Sequence, residues 1–143
     1  MNWQEDIKQI QAQQPKHVLF MCVQNSARSQ LAEGIARSLA PAGVQVSSAG
    51  SKPAFVRPQA IEVLREIDID ASTHSSKTVA DIDASTVDVV ITLCAEEVCP
   101  VFPRRVAKYH WPLTDPAKAG TLDAFRATRD ELLARLKTLF KSG

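Results

Sequence analysis

Apolar positions along the chain change period several times, and each change predicts an element. Trp3, Ile7 and Ile10 share one helical face ahead of Gln13-Gln14-Pro15, which predicts a short amphipathic leader helix within residues 1–15 that docks on the rest of the chain or mediates a contact. Residues 17–21 are apolar enough to read as a buried strand. After them Leu31, Ile35 and Leu39 recur every four residues until Pro41 and Gly43 stop the helix. Residues 44–47 read as a second strand and 48–53 as a loop, and Pro58 suits the first turn of a helix through Ile67. A polar loop at 71–77 follows. Residues 87–93 then carry the densest β-branched run in the chain and end at Cys94. Residues 108–111 are a weaker strand candidate, followed by Pro112-Leu113-Thr114-Asp115-Pro116. A final helix sets Leu122, Phe125, Leu132, Leu133, Leu136, Leu139 and Phe140 mostly along one core-facing stripe.

Strands alternating with helices predict the α/β class: one domain, residues 16–143, with a parallel four-stranded sheet, helices on both faces and the leader helix added in front. In such sheets ligands bind beyond the carboxyl ends of the strands. Cys22, Cys94 and Asp115 would all converge on that edge.

Composition narrows the function classes. The 143 residues are 45% hydrophobic and 23% charged with a formal net charge of +1, the balance of a soluble domain able to bury its own core, with no charge asymmetry that points to nucleic acid. No apolar run approaches the roughly 18 residues of a membrane helix, and the acidic, glutamine-containing start is no signal peptide. A cytoplasmic monomer is the expectation. Three cysteines are an odd number, and in a reducing compartment thiols serve chemistry or metal binding more often than structural bridges. His17, His74 and His110 show no metal-ligand spacing, and no cysteine pair matches a zinc knuckle, so no metal site is expected.

The most informative stretch runs from Val18 to Gly34. It places Cys22 at the end of an apolar strand and Arg28 six positions later at a helix start. Between them Val23, Gln24, Asn25, Ser26 and Ala27 form a turn whose backbone N–H groups can wrap a tetrahedral anion. The helix dipole adds positive potential there, and Arg28 adds a planar fork of donors. The same field favours a thiolate at Cys22.

Cys22-Val23-Gln24-Asn25-Ser26-Ala27-Arg28-Ser29-Gln30 with Glu33-Gly34, then Ser48-Ala49-Gly50, Thr92-Leu93-Cys94, Cys99-Pro100 and Asp115-Pro116, resembles the thioredoxin-coupled arsenate reductases built on the low-molecular-weight protein tyrosine phosphatase fold. The resemblance covers the chain from His17 to the last helix. It implies that Cys22 attacks arsenic while Arg28 and the amides of residues 23–28 hold the oxygens. It also implies that Ser29 donates to the thiolate, that Asn25 braces the loop in a left-handed conformation, and that Asp115 is the general acid. A Cys22–Cys94 disulfide would form as arsenite leaves, and Cys99 would resolve it. Five helical residues would separate Cys94 and Cys99 by more than the roughly 7 Å a disulfide spans, so a helical segment there would have to unwind on oxidation. No bound cofactor is implied; electrons would come from reduced thioredoxin, with phosphate or sulfate as substrate mimics.

The chain departs from the family pattern at several points. Ala27 stands where many members have another cysteine, and Gln24 replaces a common glycine. Lys77 replaces an aspartate of the potassium-stimulated members, although Asn25, Glu33 and Ser48 match the other side-chain ligands, so a lysine ammonium would take the cation's place. Two alternatives share the same loop. One is a low-molecular-weight tyrosine phosphatase, whose usual Arg-Ser-Pro is Arg28-Ser29-Gln30 here; the other is a non-catalytic thiol redox sensor.

Overall fold

A computed structural model describes residues 2–95 and 101–141. Four strands, β1 (His17–Cys22), β2 (Gln45–Gly50), β3 (Val89–Thr92) and β4 (Ala107–His110), form one parallel sheet in the order β2-β1-β3-β4. The α-helices are α1 (Trp3–Gln13), α2 (Arg28–Leu39), α3 (Pro58–Arg65), α4 (Pro116–Ala119) and α5 (Leu122–Leu139). β1 is central and buried at every position, which is why its sequence is continuously apolar rather than alternating. Its side chains still alternate by face. Val18 and Phe20 join the large core beneath α1, α2, α3 and α5, whereas Leu19 and Met21 join a smaller one with Val90 and Phe102. Two short 3-10 helices, Val79–Asp81 and Ala84–Thr86, bring Val79 and Ala84 onto the smaller core.

One local expectation is corrected. β2 runs through Gly50 instead of yielding to a loop at Ser48, because Ser48, Ala49 and Gly50 stay in register with Phe20, Met21 and Cys22. Their polarity hid the strand, but Ser47 and Ser48 are buried with partners, Ser47 beside His17 Nε2 and Ser48 donating to Glu33. Asp115 lies at the N-terminus of α4, a short helix the periodicity does not predict: its Oδ1 accepts from Ala117 N at 3.0 Å, a cap favoured by Pro116 at the first helical position. Among the described residues no helix is long and apolar enough to cross a membrane.

Candidate active site

β1 delivers Cys22 to the carboxyl edge of the sheet, and the chain loops over residues 23–27 before α2 begins at Arg28. Asn25 takes a left-handed φ of 51°, a conformation its short amide side chain tolerates. Ala27 caps α2 without a side-chain acceptor, so no side-chain cap competes with an anion for the first helical amides. Beneath the loop Gly50 pairs with Cys22. A Cβ there would lie 2.9 Å from both Asn25 N and Cys22 O, so only glycine lets β2 run so close.

Side chains brace the loop from behind. Asn25 Nδ2 donates to Ser29 Oγ at 2.7 Å, and Ser29 Oγ lies 2.8 Å from Cys22 Sγ. Since Ser29 is fully buried and already accepts from Asn25, its own proton points to the sulfur. Asn25 Oδ1 accepts from Gln30 Nε2 and from the Lys77 backbone N–H, both at 3.0 Å. Gln30 Nε2 also reaches Ser75 O at 2.9 Å, which leaves its Oε1 to accept from His74 Nδ1 at 3.1 Å. Burial holds the His74 pKa below its ordinary value, against the pull of Glu33. Farther back, Glu33 accepts from Ser48 Oγ at 2.5 Å and faces the Lys77 ammonium at 3.3 Å. The lysine charge thus lies against the carboxylate where the sequence pattern suggested a tethered cation.

Arg28 links the loop to the far side of the cavity. Its side chain is only 4% exposed, and Nη1 donates to Leu113 O at 2.9 Å and Leu93 O at 3.3 Å. Nη2 stands 4.0 Å from Asp115 Oδ2. Arg28 therefore ties the end of β3 to the segment leading to Asp115. Cys94 follows Leu93 directly and is buried and disulfide-bonded, whereas Cys22 is a buried free thiol. Cys99, with the proposed unwinding between it and Cys94, lies outside the described residues.

A cavity of about 220 Å³ opens over Cys22, lined by residues 22–24, 26–28 and Asp115. Of the described residues expected to form the site, Asn25, Ser29 and Cys94 do not line it; Asn25 and Ser29 are fully buried and support the loop from behind, and Cys94 is buried beyond Leu93. Four contributing groups are not legible in the sequence. These are the carbonyls of Leu93 and Leu113 on Arg28, His74 behind Gln30, and Ser76, whose Oγ donates to Gln24 O at 2.7 Å. Carbonyl groups leave no trace in residue type, so only Gln30, polar inside an apolar helix face, offered a signal. A larger apolar cavity of about 660 Å³ lies at the other edge of the sheet, by Ile10, Val44 and Phe140, away from these groups.

The model of the low molecular weight phosphotyrosine protein phosphatase family matches residues 17–142. An arsenate reductase of Staphylococcus saprophyticus is 40% identical over 127 residues, covering 87% of this chain and 96% of that protein. Among solved structures, an arsenate reductase in its phosphate-binding state superposes with a TM-score of 0.76 at 35% identity, over 87% of this chain and 96% of the other. A thioredoxin-dependent arsenate reductase of Corynebacterium glutamicum gives 0.70 at 28% identity, over 96% of this chain and 68% of the other.

Proposed function

The chain belongs to the low molecular weight phosphotyrosine protein phosphatase family, alongside its arsenate reductases, and on that premise we propose that it reduces arsenate to arsenite with electrons from thioredoxin. The observation that carries this reading is the small cavity over the buried Cys22 thiol, with Arg28 linking it to the backbone beside Cys94. The cavity has room for a tetrahedral oxyanion.

In the mechanism, Cys22 attacks As(V) as a thiolate, held by the Ser29 hydroxyl and the first amides of α2. Arg28 and the loop amides hold the remaining oxygens. One arsenate oxygen takes a proton from Asp115 and leaves as water. Once reduced thioredoxin has opened the disulfide that Cys94 holds in this structure, the Cys94 thiolate attacks Cys22 Sγ, and the S–As bonding pair stays on arsenic, giving arsenite and a Cys22–Cys94 disulfide. Cys99 thiolate attacks the Cys94 sulfur, forming Cys94–Cys99 and freeing Cys22. Two thiols have supplied the two electrons, and a reduced thioredoxin dithiol restores them as its own disulfide forms. The Lys77 ammonium meets the charge of Glu33, so turnover should not need potassium.

The test is arsenate-dependent NADPH consumption with thioredoxin and thioredoxin reductase, set against glutaredoxin with glutathione. Turnover with the first system supports the proposal. Binding without turnover in either system would favour a redox sensor, and faster hydrolysis of aryl phosphates than arsenate reduction would favour a phosphatase.

A further inference from the structure

Helix α1 precedes the family-matched residues 17–142, yet it is built into the core. Ile7 and Ile10 are buried, and the Trp111 indole, only 1% exposed, donates through Nε1 to Asp6 Oδ2 at 3.0 Å. The Arg135 guanidinium lies between two rings, 5.4 Å from the Trp3 centroid and 5.7 Å from that of Trp111, and Glu131 holds it at 2.8 Å. The helix thus grips Trp111 directly through Asp6 and indirectly through Trp3 and Arg135.

Trp111 opens the segment that forms one wall of the oxyanion cavity. Its N–H donates to Thr92 O at 2.8 Å, and Leu113 N–H to Leu93 O at 3.1 Å. Pro112 lies between them and fixes its own φ, which removes one of the soft torsions linking Trp111 to Leu113. Leu113 O accepts from Arg28, and Asp115 Oδ2 faces the same guanidinium. A continuous path of packed and hydrogen-bonded groups therefore runs from Asp6 to the oxyanion fork.

We propose that α1 is a positioning element of the oxyanion site, with Asp6 as its positioning residue: by holding Trp111 it fixes the Leu113 carbonyl and Asp115 against Arg28. The inference rests on the oxyanion role of Arg28, and its test needs no arsenate turnover. Inorganic phosphate is titrated against alkylation of Cys22 by iodoacetamide, with the labelled peptide mapped, in wild type, Asp6→Ala and Asp6→Asn. Asp6→Ala should weaken phosphate protection by about five-fold, the size of one lost hydrogen bond, while Asp6→Asn, which keeps an acceptor, stays close to wild type. Coupling is reciprocal, so phosphate should shift the emission of Trp111 in a Trp3→Phe background, where it is the sole tryptophan, and less so once Asp6→Ala is added. Unchanged phosphate protection in Asp6→Ala, together with Trp111 emission that ignores phosphate, would reduce α1 to a structural cover whatever the loss in melting temperature. Loosened phosphate binding in a protein that turns over no arsenate would uphold the positioning role and overturn the reductase reading.

Discussion

The two sides of the cavity over Cys22 are built in opposite ways. The wall at residues 22–30 is continuous in sequence and braced by side chains, with Asn25, Ser29 and Gln30 locking one another behind the loop. The wall at 111–116 is held by backbone hydrogen bonds to the end of β3 and by the anchored ring of Trp111. A loop braced from behind has its geometry fixed locally. A strap hung from a strand end holds Asp115 in a position that depends on distant packing, which suits the anion-cradle and proton-donor roles proposed above.

That contrast orders the expected effects. Cys22→Ser should abolish arsenate reduction and any phosphatase side activity, because a hydroxyl is far less ionised and cannot enter disulfide exchange. Measurable turnover by it would remove the loop from the chemistry altogether. Next come the relay cysteines. Cys94→Ser should release no arsenite from the Cys22 adduct, whereas Cys99→Ser should release one equivalent and trap Cys22–Cys94. Peptide mapping after a single arsenate addition separates the two, and normal cycling of Cys99→Ser with thioredoxin would contradict the relay order.

Smaller effects compare the walls directly. Asp115→Asn should lower kcat by on the order of 10²-fold while leaving phosphate affinity within a few-fold, as expected for a lost proton donor. Asn25→Ala should weaken phosphate affinity by roughly ten-fold through loss of buried hydrogen bonds. Steady-state kinetics with phosphate as competitive inhibitor reads both, and a reversed pattern would exchange the roles assigned to the walls.

The smallest effect is on stability and involves His17 and His74. Burial lowers the pKa of each in the fold, below the ordinary value of 6.5. Below about pH 6.5 the unfolded chain takes up protons that the folded chain refuses, so stability is full above that pH and declines as pH falls toward the folded values. Urea midpoints at pH 8 and pH 5.5 should show this decline in wild type and less of it in a His17→Gln, His74→Gln variant. An equal decline in both proteins would place the acid sensitivity elsewhere.

Some of this was legible in residue order alone. An apolar run ending in Cys22, a turn tolerant of left-handed backbone and an arginine at a helix start specify local geometry, because strand, loop and helix there depend on neighbours within a few residues. Asn25 took the left-handed turn, and β1 and α2 formed where the periodicity placed them. The end of β2 is not legible in the sequence because Ser48-Ala49-Gly50 looks like loop until Glu33 is placed beside Ser48.

What sequence determined, then, was the strand-loop-helix unit from Cys22 to Arg28 and the alternation of the main strands and helices, since both follow from short-range patterning. Tertiary structure alone decided that Arg28 is held by the carbonyls of Leu93 and Leu113, that Lys77 lies against Glu33, and that a helix ahead of the family region grips Trp111 behind the site. The physical reason is separation along the chain: these contacts join positions 44 to 105 residues apart, and carbonyl oxygens and packed rings acquire their partners only once the sheet has brought those positions together.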